Sequence, residues 1–278
     1  PVITTLGLRP GGQTFTIELD AGDVYQMQAQ WDLSGTHIKA LGDRRIAVFA
    51  GAVAAEVECG PNNHIYHQNL PVKRWGHEYI AVPYFAQNMD RIKVVALSDN
   101  TEMRVDCGSP IAMARGEVWD GEITGTTRIT ANGHIAVAQY NRGQACNGYG
   151  LGDPSHAVLV PTALHTNYAL FRHTKFLTQT DGSTPSGIGE YFINLLGTPG
   201  ARTLLNGLDI SDDFHAGPAQ RTWAQIPLPK TDGNYAVYST LPFAGVAYAY
   251  SDMDTYSYHV GYNCDGCLQD LDLLPDCP

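Results

Sequence analysis

Apolar and polar residues alternate at a period near two in QTFTIEL (13–19), DVYQMQAQW (23–31), HEYIAVPYF (77–85), RIKVVAL (91–97), EYFINLL (190–196) and VAYAYSD (246–252). Each segment mixes β-branched or aromatic residues with polar ones and is closed by Gly, Pro, Asn or Asp, so each reads as a strand ended by a turn. Helical periodicity is thin everywhere, and a helical turn or two is expected only near PTALHTN (161–167).

The strand pattern recurs. GTHIKALGDRRIAVFAG (35–51) runs from Gly-Thr through a short strand-like segment and a Gly-Asp break into an apolar stretch. GTTRITANGHIAVAQYN (125–141) has the same order, and GNYAVYSTLPFAGVAYAY (233–250) is a weaker third copy. Gly35 to Val48, Gly125 to Val137 and Gly233 to Val246 span thirteen, twelve and thirteen residues. Upstream of the three stand DAGDVYQMQ (20–28), ARGEVWDGE (114–122) and HAGPAQRTW (215–223). Fixed offsets of this kind mark a repeated strand–turn–strand unit. They predict Val48, Val137 and Val246 in equivalent buried strands. The copies stand 89 residues apart (Val48 to Val137) and 109 apart (Val137 to Val246). Solenoid units are shorter, whereas β-sandwich modules have about 100 residues.

The predicted fold is therefore all-β, with two to three tandem antiparallel β-sandwich repeats over residues 1–60, 61–150 and 151–263 and a Cys-containing tail or linker over 264–278. The boundaries lie in two polar connectors led by Cys, 59–76 and 146–165, each followed by a Tyr-bearing strand (Tyr79, Tyr168). LTQTDGSTPSGIG (177–189) reads as an exposed loop inserted in the last unit. Aligning Gly22 with Gly116 sets Pro1 opposite Val95, so about two strands equivalent to residues 75–94 are missing from the first copy. A sheet lacking them exposes a backbone edge and an apolar face, the acceptor geometry for strand addition by a neighbouring chain or an upstream segment.

Composition narrows the function. The 278 residues include 29 Gly and 16 Pro but only 17 Lys and Arg, which favours turns and short strands over long helices. A net charge of −11 argues against nucleic acid, which calls for a clustered basic face. No apolar run reaches the 18 or so residues of a membrane span, and no signal-peptide pattern opens the sequence. Pro1 reads as an internal position of a longer precursor.

Six cysteines, Cys59, Cys107, Cys146, Cys264, Cys267 and Cys277, form an even set of disulfide candidates and point to an oxidising compartment. Fifteen pairings are open. Cys59 and Cys146 fall at equivalent places, each shortly after a central Val. The CDGC pair at 264–267 follows a strand, whereas a redox pair usually starts a helix, and a disulfide role is expected.

SGTHIKALGDRRIAVFAG (34–51), CGPNNHIYHQNLPVKRWGHEYIAVP (59–83) and DRIKVVALSDNTEMRV (90–105) together resemble the N-terminal domain of the IgG Fc-binding protein family, as found also in bacterial cell-surface and adhesion proteins. QYNRGQACNGYGLGDPSHAVLVP (139–161) and FAGVAYAYSDMDTYSYHVGYN (243–263) look like later segments of the same domain, so the resemblance covers most of residues 20–263. Single motifs are weakly specific, and the ordered set carries the resemblance. It implies a secreted or cell-surface all-β module without a catalytic motif, and it does not imply binding of immunoglobulin by this chain. The tail YNCDGCLQDLDLLPDCP (262–278) resembles the junction at which bacterial members pass into further domains.

Candidate chemistry is sparse. His64 and His67 are three apart in a connector flanked by Pro61 and Pro71, where that spacing does not converge on a metal as it would on a helix. Asp252, Asp254 and Asp153 are the oxygen donors available for calcium, without the Asp-x-Asp-x-Asp-Gly pattern. No Gly-x-Ser-x-Gly elbow and no paired-carboxylate motif is present. Trp31, Trp75, Trp119 and Trp223 suit sandwich cores, or a sugar-stacking face. The sequence thus predicts a non-catalytic extracellular adhesive or structural protein, with no cofactor, that acts by contact with glycan, glycoprotein or copies of itself. The alternative is a subunit of a filament assembled by strand addition, and a secreted glycan-active enzyme is the more remote one.

Overall fold

The computed structural model describes residues 2–42, 44–175, 189–252 and 254–263. Among these, the chain is almost entirely β, with helix limited to single 3-10 turns such as Thr162–Leu164, at the place the sequence reserves for one. Two curled antiparallel sheets make up the bulk of the protein.

The first is organised by one long strand, Thr127–Tyr140, which changes partners halfway along. Its first half lies between Gly76–Ala81 and Thr101–Val105, its second half between Asp90–Ala96 and His156–Val158, with a register shift between Thr130 and Ile135. The strand thereby belongs to both layers, and the layers close over Tyr79, Ile92, Val94, Met103, Ile129, Ile135 and Val137. Asp90–Ala96 alternates buried and half-buried positions along its whole length, as its period-two sequence requires. Tyr79 is the one large polar side chain at the centre. Its hydroxyl donates to the Ile135 carbonyl at 2.6 Å and accepts the Gly76 N–H at 3.0 Å, so burying it leaves no bond unmade.

The second sheet repeats this connectivity around Gly233–Ser251. The first half of that strand lies between Thr166–His173 and Thr203–Leu205, the second half between Glu190–Gly197 and Asp254–His259. Its core contains Phe171, Ile193, Leu195, Val237, Phe243, Ala247 and Ala249. Thr166 pairs at the turn of the long strand as Gly76 does in the first sheet, so Ala169, also buried, takes the place of Tyr79. Tyr168, which the sequence set beside Tyr79, instead points outward.

The two sandwiches meet across a seam that is partly apolar and partly hydrogen-bonded. Tyr84, Phe192, Tyr248 and Tyr250 form one buried cluster, and Ile80, Val82 and Leu196 another with Trp223 against it. Between them run polar bonds: Asn194 to the Val82 and Pro83 carbonyls, Gln225 to Pro83, Asn194 and Tyr248, and the Phe85 N–H to the Tyr248 hydroxyl. Asp90 closes the network, accepting from the Tyr84 N–H and the Gln139 amide. Burial raises its carboxyl to about 7, which those two donors only partly offset.

The N-terminal segment differs. Val2–Thr4, Gly7–Arg9 and Met27–Gln28 form a small three-stranded sheet, and Phe49–Ala55 pairs with Asn63–Gln68. No buried hydrophobic residue precedes Leu70 among the described residues. Two expectations need correction. Val48 is half-buried and precedes its strand, because no second layer covers it. Val246 lies in a strand but faces the other sandwich, while the inward positions are Ala247 and Ala249. Asn63–Gln68 and His156–Val158, the later partners of Phe49–Ala55 and Thr127–Tyr140, both lie within the Cys-led connectors at 59–76 and 146–165.

Candidate binding surface

The strand pair Phe49–Ala55 and Asn63–Gln68 is bound tightly at its turn and open on its outer face. A disulfide joins Cys59 to Cys146, with a Cα–Cα separation of 6.1 Å, and closes 87 residues of chain. These are the two cysteines at equivalent places in the sequence. Next to it, Glu58 pairs with Arg142 and with Arg91, and Arg91 also holds Asp120 at 2.6 Å. Gly143 approaches so closely that a Cβ there would stand 2.1 Å from the Cys59 carbonyl oxygen, so only glycine fits. Cys107 is also disulfide-bonded. Cys264, Cys267 and Cys277 lie outside the described residues, as does most of the 177–189 stretch.

Alternation sorts His64 and His67 to opposite faces of their strand, so they do not converge. On the outer face, Phe49 and Tyr66 stack with ring centroids 5.1 Å apart and planes 1° from parallel, and His64 continues the series 6.2 Å beyond Tyr66. Gln68 is exposed opposite Phe49. Tyr66 is 59% exposed and Phe49 48% exposed, unusual for rings already stacked on one another. Trp31 is 75% exposed, contrary to a core role, while Trp119 and Trp223 pack against core clusters and the Trp75 indole donates to the Leu70 carbonyl.

The inner face reaches a junction of three terminal strands. His67 comes from Asn63–Gln68, His156 from His156–Val158 and His259 from Asp254–His259. The His67 ring stands 5.7 Å from that of His156 and 5.1 Å from that of His259. The Ser155 hydroxyl donates to that of Ser257 at 3.0 Å, and the Asn63 amide to the Thr255 carbonyl at 3.3 Å, tying the strands together. Burial lowers all three imidazoles, His156 and His259 to about 4, and each of those two is depressed further by His67. They are neutral at pH 7. No sequence motif flags this cluster, because its members come from three distant segments.

The calcium candidates lie on this side too. Burial raises the Asp153 carboxyl to about 6, with further contributions from the charges of Asp254 and Asp252. Among the described residues, however, no group of three or more His, Cys, Asp or Glu side chains stands in metal-binding geometry. A separate open groove of about 690 Å³ in the second sandwich has Leu205, Ile210 and Tyr235 in its lining and Asp212 and Asp213 at its side.

The profile of the IgGFc binding protein family matches residues 2–249, which takes in the N-terminal strand pair, the first sandwich and the second as far as Ala249. The chain belongs to this family. A human relative, "IgGFc-binding protein", is 27% identical over 159 residues, or 55% of this chain. The match spans only 3% of that protein's length. Among solved structures, an anti-sigma factor domain-containing protein aligns over 61% of this chain and 77% of its own, at 10% identity and a TM-score of 0.19, too low to inform the fold. IgGFc-binding family membership fits an extracellular binding protein. No described helix is long and apolar enough to cross a membrane.

Proposed function

We propose that this chain is a non-catalytic recognition module of a longer extracellular protein, and that it contacts a glycoprotein through the Phe49–Tyr66–His64 face. The observation that carries this reading is the exposed aromatic series, on a strand pair bridged at its turn by the disulfide and the Glu58 ion pairs, with an amide at its end. Flat aromatic surfaces edged by polar groups stack on the apolar faces of sugars and pack on glycoprotein loops at low entropic cost. The human relative's name supplies the first ligand to try. Immobilised IgG Fc, with and without its glycan, and a mucin-type glycoprotein should be presented to the chain. Binding to one of them, weakened about tenfold or more in the Phe49→Ala/Tyr66→Ala double variant, is the expected result. A chain that binds none of them, or a double variant that binds as well as the parent, would refute this surface.

Self-association is a second reading, favoured by the absence of any buried hydrophobic residue before Leu70 among the described residues. The division into three copies of one unit, the continuation past 264–278 into further domains and the filament alternative belong to it.

A further inference from the structure

The strand Phe49–Ala55 has one paired edge and one open edge. In both sandwiches the strand at the corresponding place has two antiparallel neighbours. The second half of Thr127–Tyr140 lies between Asp90–Ala96 and His156–Val158, and the second half of Gly233–Ser251 between Glu190–Gly197 and Asp254–His259. In the N-terminal segment only the later neighbour is present: Phe49 pairs with Gln68, Ala50 with His67 and Gly51 with Tyr66. Among the described residues nothing pairs with the other side.

The composition of this edge is unusual for one facing water. Proteins guard open edges with Lys, Pro, inward charges or bulges. The stretch FAGAVAA has no charge and no proline, and its one such guard is the register shift between Ala52 and Ala55; Val53 is 78% exposed, and Ala50, Gly51, Ala52 and Ala54 leave the backbone accessible. Nearby, Ile46 and Leu41 are exposed as well, at 50% and 66%. An uncharged strand of small residues is also compatible with its own copy, because antiparallel pairing about a two-fold axis sets the same sequence against itself without like-charge contacts.

We infer that Phe49–Ala55 is an edge-to-edge dimerisation strand, and that its occupant is the same strand of a second copy. The two strand pairs then form one continuous four-stranded sheet, with Val53 near the two-fold axis. The inference adds a partner to the hairpin proposed above as the recognition face. It leaves that face free, since pairing uses the backbone edge, and it presents two aromatic series on one sheet. Two linked faces raise avidity for a repeated ligand without new contacts to it.

The test is the mass of the full chain in solution as a function of concentration, by light scattering or sedimentation, with hydrogen exchange of residues 49–55. A concentration-dependent dimer is expected, in which these amides become slower to exchange as the dimer forms. Val53→Lys should weaken it about tenfold or more by setting two charges near each other across the axis. Val53→Thr, which keeps the β-branch without charge, should preserve it. The Phe49→Ala/Tyr66→Ala variant should dimerise normally whether or not it binds glycoprotein, so failure of the ligand reading and failure of this one are separable. A chain still monomeric at about 1 mM, where an association of only about 4 kcal/mol would register, overturns the inference. So does a monomer whose 49–55 amides are already slow, which would put a strand of the same chain on the edge, or a dimer indifferent to Val53→Lys.

Discussion

Asn194 lies in one sandwich and donates its side-chain amide to two carbonyls of the other, Val82 at 3.1 Å and Pro83 at 2.8 Å. Its oxygen accepts from Gln225 and from the Tyr248 hydroxyl, each at 2.9 Å. One side chain therefore satisfies both sides of a buried seam. Asn194→Ala would strand those donors and acceptors, and each buried group left unpaired costs about 1–3 kcal/mol. Loss of roughly 2–4 kcal/mol in denaturant unfolding is expected, with separate melting of the two sandwiches in calorimetry. A loss below about 1 kcal/mol would mean that water replaces the network at little cost.

The Cys59–Cys146 bridge fixes the hairpin from outside the sandwich cores. Removing it as Cys59→Ser/Cys146→Ser should cost about 2–4 kcal/mol by relaxing the unfolded chain less tightly constrained loop. The local effect should be larger than the global one, because the hairpin has no buried hydrophobic core of its own. Hydrogen exchange of residues 49–68 should rise well before that of Asp90–Ala96 or Thr127–Tyr140. Equal acceleration everywhere would show that the bridge stabilises the whole chain as one unit.

Much of the strand content was legible because alternation survives wherever one face is inward and the other partly wet. Asp90–Ala96 is the clear case. Around Val246 the inward face is not legible, for the opposite reason. From Ala247 to Ser251 every position is buried, Ala247 and Ala249 in their own core and Tyr248 and Tyr250 in the seam, so no polar position marks which face is inward. The histidine junction was not legible, since His67, His156 and His259 gain meaning only when three terminal strands are brought together.

Acid should loosen that junction. His156 and His259 have their folded values near 4 against an ordinary value of 6.5, so between those limits the unfolded chain binds more protons than the folded one. The stability they contribute is complete above about pH 6.5 and is lost as pH falls through about 4. Conformational stability should therefore decline over that window, and His259→Gln, which carries no titrating group, should flatten the decline. An unchanged pH slope in His259→Gln would place the acid sensitivity elsewhere.

Asp90 acts with the opposite sign. Its folded value near 7 lies above the ordinary 3.8, so the folded chain holds a proton that the unfolded chain has released through the interval between them. Stability from this site is complete below about pH 4 and is lost as pH rises through about 7. Asp90→Asn keeps an oxygen to accept from the Tyr84 N–H and the Gln139 amide, which reach the carboxylate at 2.9 and 2.6 Å, and removes the buried charge. One pKa unit corresponds to about 1.4 kcal/mol, so the variant should gain on the parent by about 1 kcal/mol or more at pH 8 and by progressively less toward pH 4. Urea unfolding of both proteins across that range measures the difference. A variant less stable than the parent at pH 8 would show that the ionised carboxylate is stabilised in the seam, and that its two hydrogen bonds outweigh the cost of burying it.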